Sequence, residues 1–334
     1  MVHCDHHLFE TEMTANTAAV PSSRALTDDR SGVAAGTMRP NATEDPGISA
    51  LAAEPVLVHS PIGVRVPFIF ASPHSGRFYP ESFTRLSRLD PISLRRSEDA
   101  FVDELFESVT ELGAPLITAR FPRAFVDPNR SPHELDPAMF DSPFGLPVGP
   151  RSPRVAAGLG VIPRVVRDGL EIYAARLPAA EAAFRLEHFY RPYHAALAGL
   201  VTNAQAEFGV AIVVDCHSMP PPAKANDIVL GDCYGEAAAT ELISYVQKSL
   251  VQLGFSVARN TPYAGGYTTS VYGKPAAGVH AFQIEVSRGL YLDEARMEKS
   301  AGFALCKERL RRFAVKLVAE AGPWRRPLRA SAAI

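Results

Sequence analysis

The chain has 334 residues, 47% of them hydrophobic and 21% charged, and its formal net charge at pH 7 is −2. That length and apolar content suit one large α/β domain with a sizeable core. The nearly balanced charge provides no basic surface field, so we expect no nucleic-acid partner. We also expect no membrane partner, because the chain lacks the run of about 18 apolar residues that a spanning helix needs.

The cysteines and the N-terminus indicate a cytoplasmic protein. Cys4, Cys216, Cys233 and Cys306 show neither a CxxC pair nor the spacing of a disulfide framework. The first residues also lack the basic-then-apolar order of a secretory signal. A reducing compartment fits both features.

The two ends of the chain differ in composition from its middle. Residues 1–52 are rich in Ala, Thr, Ser, Gly and Pro without a sustained period, which predicts a flexible N-terminal extension. Residues 323–334 form a similar tail. The folded domain is therefore expected at 53–322.

Strand and helix patterns alternate within this domain. Residues 64–72 (VRVPFIFAS) are predicted to form a buried strand, and 97–113 a helix that Ser97 caps and Gly113 ends. The later predicted elements are extended segments from 114, a helical stretch at 163–208 with Pro178 and Pro192 as breakers, strands at 209–216 and 226–232, a helix at 236–254, a strand at 279–287 and a closing helix at 293–320. This order predicts a single α/β domain with a mixed, mostly parallel sheet that carries helices on both faces.

Two histidines follow buried strands directly. His74 lies in FIFASPHSG and His217 in VVDCHSMP, each with a serine after it and a proline-containing loop beyond. Ligand sites in such sheets lie at the carboxyl ends of the strands. Two imidazoles with one carboxylate are the protein ligands of many catalytic zinc sites. A single histidine in this position is more often structural, but the repeated context favours a metal site.

The carboxylate ligand must come from elsewhere in the chain, because neither strand-end histidine begins an HxxE pattern: Arg77 stands three residues after His74, and Pro220 three after His217. The first turn of the predicted 97–113 helix offers Glu98 and Asp99. Helical spacing puts Glu98 on the core-facing stripe and Asp99 about a quarter turn away. This spacing favours Glu98 as the ligand, although both carboxylates are also common at the start of a helix.

Glu285 stands in the apolar strand VHAFQIEVS. A carboxylate buried there without a partner is costly. Beside a metal, it can act as a general base for water and then as an acid for the leaving amine. The alternative is an ion pair with Arg288.

The segment RFPRAFVDPNR (120–130) contains Arg123, Asn129 and Arg130 near a strand end. Guanidinium groups bind carboxylates through paired hydrogen bonds, so this segment suits a substrate with free carboxylates. A solvated basic loop is the alternative.

The segment TPYAGGYTTSVYG (261–273) combines glycines with hydroxyl side chains. It predicts a mobile loop whose backbone approaches a ligand closely, with Gly266, Thr268 and Thr269 as candidate contacts.

Six motifs occur in a fixed order over residues 55–320. They are SPHSGRFYP, SEDAFVDELF, FVDPNRSPHELDPAMF, DCHSMP, GGYTT with YGKP, and FQIEVSRGLY. Together they resemble the N-formylglutamate amidohydrolase family, whose fold is related to those of zinc carboxypeptidases and aspartoacylases. The resemblance implies a zinc carboxypeptidase-like or aspartoacylase-like domain.

The resemblance also implies roles for individual residues. It makes His74 and His217 zinc ligands. Other members of the family carry an aspartate that is followed four residues later by another aspartate, as Asp99 is by Asp103. This pattern favours Asp99 over Glu98 as the third zinc ligand. It further implies Glu285 as the general base, Arg123 as the group that polarises the scissile carbonyl, and Asn129 with Arg130 as the grip on a substrate carboxylate.

The expected reaction is hydrolysis of N-formyl-L-glutamate to formate and L-glutamate, with Zn2+ or another divalent metal as cofactor. A deacylase or carboxypeptidase for another small N-acyl amino acid or peptide is the second possibility. A protein that binds acidic amino acids without turnover is the third. The sequence does not determine the oligomeric state.

Overall fold

The computed structural model describes residues 45–63, 66–166, 169–221 and 226–319. Strands in this part of the chain are β1 (Val56–His59), β2 (Phe68–Ser72), β3 (Leu116–Ala119), β4 (Ala211–Met219), β5 (Ile228–Gly231), β6 (Val257–Arg259), β7 (Val279–Ser287), β8 (Leu292–Asp293) and β9 (Glu298–Lys299). The first seven form one sheet, and β8 pairs with β9.

The described α-helices vary from one turn to about five. They are α1 (Pro46–Ala53), α2 (Glu81–Leu86), α3 (Pro91–Arg95), α4 (Val102–Phe106), α5 (Pro153–Ala156), α6 (Ala180–Arg185), α7 (Arg191–Phe208), α8 (Thr240–Gln252), α9 (Tyr267–Tyr272) and α10 (Phe303–Ala319). A π-helical segment, Leu186–Tyr190, joins α6 to α7. Among the residues that the structure describes, no helix has the length and apolar character needed to cross a lipid bilayer.

The seven-stranded sheet has the order β1-β3-β2-β4-β7-β5-β6. Strands β3, β2, β4 and β7 run parallel, whereas β1 and the β5–β6 pair run antiparallel to their neighbours β3 and β7. The prediction of an α/β domain with a mixed, mostly parallel sheet is confirmed.

Side chains alternate along each strand, so they pack into two separate cores, one on each face of the sheet. On one face, Phe70 and Val214 pack in a cluster that includes residues of α4, α8 and α10. On the other, Ala71 and Val213 pack in a cluster that includes residues of α6 and α7. The sheet is therefore covered on both faces, as predicted.

The folded domain begins earlier than the predicted boundary at 53. Asp45 accepts hydrogen bonds from the backbone N–H groups of Gly47 and Ile48, and Pro46 occupies the first turn of α1. Ile48 and Leu51 are buried in the core on the α7 face. The prediction of a flexible extension to residue 52 is therefore wrong for α1. Residues 1–44 of that extension, and the predicted tail at 323–334, lie outside the described residues.

Other predicted boundaries also differ from the structure. The closing helix predicted at 293–320 begins only at Phe303, because β8 and β9 precede it. The predicted helix 97–113 begins only at Val102, because Phe101 has φ 63°, in the left-handed region, and the helix continues as a 3-10 turn at Glu107–Thr110. The helical stretch predicted at 163–208 begins at Ala180 and passes through Pro192 without a break. Strand β4 continues to Met219, so His217 belongs to the strand.

Candidate active site

His74 lies in a tight turn at the carboxyl end of β2. This turn packs closely on the chain after β3, since a Cβ atom at Gly76 would stand 2.1 Å from the Phe121 carbonyl oxygen. Only glycine permits that approach. The His74 carbonyl oxygen accepts a hydrogen bond from the Asp99 backbone N–H at 3.0 Å. The turn therefore fixes His74 and brings the backbone of Asp99 to it.

His217 lies in the adjacent strand β4, on the face that packs against α7. It shares this face with Asp215, because side chains alternate along a strand. In the parallel register of β4 with β7, His217 stands opposite Glu285 and Asp215 opposite Gln283. The two central strands thus place four polar side chains side by side near their carboxyl ends.

Asp99 joins the two histidines. Its Oδ2 atom lies 3.2 Å from His74 Nδ1 and 3.0 Å from His217 Nδ1. Its Oδ1 atom accepts hydrogen bonds from Arg288 at 3.0 Å and from Ser218 at 3.3 Å. Asp99 is 1% exposed, so this is an enclosed site.

Glu98, the alternative third ligand, points to a different environment. Its carboxylate accepts a hydrogen bond from the Tyr79 hydroxyl at 2.6 Å and is paired with the Arg95 guanidinium. The helical-face reasoning that favoured Glu98 fails because α4 has not yet begun at this residue.

The donor set fits a divalent cation. His74, Asp99 and His217 each offer one ligand atom, and the three atoms lie within 4.8 Å of one another. Burial favours a protonated Asp99, but hydrogen bonds from His217 and His74 outweigh it and hold the pKa of Asp99 well below its usual range. Two imidazole nitrogens and one carboxylate oxygen are ligands that zinc accepts.

A second carboxylate contacts the outer nitrogen of each histidine. Asp127 Oδ1 lies 2.7 Å from His74 Nε2, and Asp215 Oδ2 lies 2.9 Å from His217 Nε2. Burial disfavours a charged His217, yet Asp215 and Asp99 outweigh it and raise the pKa of His217 well above its usual value. Carboxylates in this position orient metal-binding histidines, since they hold the proton on Nε2, so that a metal ion would displace only the proton on Nδ1.

Glu285 is 8% exposed and lies on the same face of β7 as Gln283, whose side-chain amide donates to it at 3.3 Å. Burial raises the pKa of the Glu285 carboxyl to about 7, although His217 and Arg123 oppose the shift. Arg288, the alternative partner, forms its carboxylate contacts with Asp99 and Glu294.

Comparison with known proteins agrees with this geometry. The family model for N-formylglutamate amidohydrolase matches residues 66–292. This chain belongs to the N-formylglutamate amidohydrolase family. Membership makes it a hydrolase of amide bonds, which confirms the enzyme class predicted from the sequence motifs.

Relatives of this family cover most of the chain. The N-formylglutamate deformylase of Pseudomonas aeruginosa is 29% identical over 245 residues, which are 69% of this chain and 84% of that protein. The deformylase of Pseudomonas putida is 26% identical over 239 residues, which are 69% and 83% of the two chains. The crystal structure of N-formylglutamate amidohydrolase from Ralstonia eutropha JMP134 has a TM-score of 0.76 and 35% identity, and covers 80% of this chain and 99% of that one.

A more distant structure shares the fold alone. The gene product Atu2144 from Agrobacterium tumefaciens has a TM-score of 0.57 with 17% identity, over 82% of this chain and 98% of that one.

In this family member, the segment predicted to bind substrate lies beside the metal-ligand candidates. Arg123 donates to Asp127 Oδ2 at 2.7 Å, and its side chain is 20% exposed. Arg130 donates to the carbonyl oxygens of Leu159 and Asn129. Two guanidinium groups thus flank the Asp127 carboxylate.

Asn129 is engaged within the protein. Its Oδ1 atom accepts the Thr268 backbone N–H at 2.8 Å, which fixes the orientation of the amide. Its Nδ2 atom lies 3.3 Å from Asp215 Oδ2 and 3.0 Å from His217 Nε2. When His217 Nε2 carries its proton, both this N–H and the Asn129 amide donate to Asp215.

The predicted mobile loop at 261–273 contains a short helix instead, so that prediction is wrong for α9. Gly266 precedes this helix, and a Cβ atom there would stand 2.3 Å from Asn129 Nδ2. Thr268 and Thr269 are fully buried, and within the described residues their hydroxyl groups have no hydrogen-bond partner. The absence of a side chain at Gly266 thus permits the close contact with Asn129, whereas the two threonine hydroxyls present no exposed surface to the site.

Asp127 and Asp215 are the site residues that the sequence analysis missed. Asp215 had a usable signal, because it stands two residues before His217 in an apolar run and must share its face. Asp127 had none, because its partner His74 lies 53 residues earlier in the chain.

Proposed function

We propose that this family member hydrolyses N-formyl-L-glutamate, or a closely similar N-acyl amino acid, to formate and the free amino acid. We propose also that it requires a divalent metal ion, with Zn2+ the expected one. The observation that carries the proposal is the convergence of His74, Asp99 and His217 next to a buried Glu285. The family relationship supports the reaction type.

His74 Nδ1, His217 Nδ1 and Asp99 Oδ2 would hold the metal. The chemistry that such a cation supplies when bound is polarisation of a carbonyl group and acidification of water. Asp127 and Asp215 prepare the two histidines for this task, since each keeps a proton on the outer nitrogen.

Glu285 supplies the proton transfers. It takes a proton from the attacking water as the water oxygen bonds to the formyl carbon. It then delivers that proton to the amide nitrogen, so the C–N bond breaks and formate and the amino acid separate. A carboxyl group whose pKa lies at about 7 can both accept and donate a proton near neutral pH.

The basic groups act on the substrate. Arg123 would stabilise negative charge on the carbonyl oxygen, since its guanidinium is paired with Asp127, the carboxylate that also contacts His74. Arg130 would hold a substrate carboxylate, with the backbone at Gly266 beside it. The hydroxyls of Thr268 and Thr269 would take part only if α9 shifts to expose them. A direct contact of Asn129 with substrate would require one of its internal hydrogen bonds to break, so we assign Asn129 to the support of His217.

The test combines metal analysis with a substrate series. Purified protein is analysed for bound metals, and formate or acetate release is measured from N-formyl-L-glutamate, N-formyl-L-aspartate and N-acetyl-L-glutamate at equal metal loading. We expect the highest kcat/KM with N-formyl-L-glutamate. A faster rate with another substrate would favour a different deacylase. Tight binding without any release would favour a binding protein, and the buried Glu285 opposes that alternative.

A further inference from the structure

Two side chains of the helical segment before and within α7 contact the chain on either side of Asn129. Tyr190, the last residue of the π-helical segment, donates from its hydroxyl to the Arg130 carbonyl oxygen at 2.8 Å. His194, one turn later, donates from Nε2 to the Pro128 carbonyl oxygen at 2.9 Å. The two rings lie 4.5 Å apart, so they act from the same face of the helix.

The same histidine also contacts helix α9. The Tyr272 hydroxyl, at the end of α9, lies 3.1 Å from both His194 Nδ1 and the His194 carbonyl oxygen. Their rings are stacked, at an interplanar angle of 9°. The other end of α9 is held by Asn129, through the Thr268 backbone N–H. His194 and Asn129 therefore hold α9 at its two ends.

From these contacts we infer that Tyr190 and His194 are positioning residues for the substrate-binding wall of the site. They hold residues 128–130 and α9 together as one unit, so that the Arg130 side chain and the backbone at Gly266 keep a fixed spacing. This inference rests on the proposed function, because that function assigns the substrate to this wall.

The physical reason lies in the backbone carbonyl groups. A loop segment held at the carbonyl oxygens of both Pro128 and Arg130 loses the freedom to shift relative to α7, and its ordering is complete before substrate binds. Burial lowers the pKa of His194 to about 4, so one ring nitrogen remains a donor and the other an acceptor near neutral pH. Neither side chain is among the described contacts of His74, Asp99 or Glu285.

The experiment uses matched tyrosines of the full-length, metal-loaded enzyme. Tyr190→Phe removes only the hydroxyl, which binds the Arg130 carbonyl oxygen and also interacts with the Tyr267 side chain of α9. Tyr193→Phe, the control, removes a buried hydroxyl that has no hydrogen-bond partner within the described residues. We expect Tyr190→Phe to raise KM for N-formyl-L-glutamate about three- to tenfold, the effect of one or two lost hydrogen bonds, with kcat within about twofold of the control.

A histidine pair tests the second contact. His194→Phe loses both polar contacts, whereas His194→Gln can keep a donor near the position of Nε2. We expect a raised KM in the phenylalanine variant and partial recovery in the glutamine variant. A fall in kcat with unchanged KM in either Tyr190→Phe or His194→Phe would overturn the inference, because it would indicate only a smaller active fraction.

Hydrogen exchange separates this inference from the proposed function. Peptides that cover 126–132 and 264–272 are expected to exchange faster in Tyr190→Phe and His194→Phe than in Tyr193→Phe. If the wild-type enzyme releases no formate, the proposed function fails while this measurement still judges the inference. Equal exchange rates of these peptides in all three variants would overturn the inference.

Discussion

Glu285 stands directly opposite His217 in the parallel register of the two central strands. Because one strand provides a ligand candidate and the next a buried carboxyl group, the relative position of the two groups depends on the sheet itself. Strands hold side chains more rigidly than loops do. The proton-transfer group of the proposed mechanism is therefore fixed by backbone pairing.

Replacement of Glu285 by glutamine tests this role. We expect Glu285→Gln to lower kcat about 10²–10⁴-fold, the usual contribution of a general acid–base group, with little change in KM. The measurement is steady-state formate release at equal metal content. Glu298→Gln, an exposed position in β9, is the control and should behave as wild type. An unchanged kcat in Glu285→Gln would exclude the proposed mechanism.

A pair of neighbouring carboxylates tests the metal ligand. Asp99→Asn is expected to lose most of the bound metal, because it neutralises the carboxylate that both histidines face. Glu98→Gln should retain about one ion per chain, but lose about 1–3 kcal/mol of unfolding free energy, because it weakens a buried group bound to Tyr79 and Arg95. Elemental analysis and urea unfolding measure the two effects. Equal metal loss in both variants would contradict the assignment.

The sequence predicted the metal-ligand candidates better than it predicted their surroundings. His74 and His217 were identifiable because each comes after an apolar run of residues, and the carboxyl ends of parallel strands share one edge of the sheet. The choice of Asp99 came from the family resemblance. Helical periodicity favoured Glu98, and it failed because Phe101 adopts a left-handed conformation that delays the helix. A single backbone torsion of this kind leaves no periodic signal.

The supporting residues depend on contacts between distant segments. Asn129 contacts His217 and Thr268, which are 88 and 139 residues away in sequence. The family resemblance implied a substrate contact for this asparagine, whereas the fold provides its partners internally. Helix α1 was missed for a different reason: its small residues resemble linker composition, and only packing reveals the buried Ile48 and Leu51.

The two outer carboxylates are expected to tune metal affinity. Asp127→Asn and Asp215→Asn each neutralise the group that holds the proton on a histidine Nε2 atom, so we expect metal affinity to fall about 10–100-fold. Competition with a chromogenic chelator measures the affinity. Asp141→Asn, at an exposed carboxylate, is the control and should leave it unchanged. Wild-type affinity in both site variants would show that the outer carboxylates do not support the ligands.

His194 should make the domain less stable at acid pH. Its pKa is about 4 in the folded protein, chiefly because burial disfavours the charged imidazole, and near 6.5 when unfolded. Between these values the unfolded chain binds a proton that the folded protein does not, so stability falls as the pH decreases. At 1.36 kcal/mol per pKa unit, we expect about 2 kcal/mol of this loss between pH 7.5 and pH 5.

Urea unfolding of wild type and His194→Gln over this pH range measures the effect. The glutamine cannot titrate, so the difference in unfolding free energy between the two proteins should shrink or change sign as the pH falls. Other groups that titrate in the same range contribute equally to both proteins and cancel in the difference. His59→Gln, at an exposed position of β1, is the control and should run parallel to wild type. If the difference in unfolding free energy between wild type and His194→Gln stays constant with pH, His194 becomes protonated in the folded protein as readily as in the unfolded chain. The hydrogen bond from its ring to the Pro128 carbonyl oxygen would then persist in the charged form.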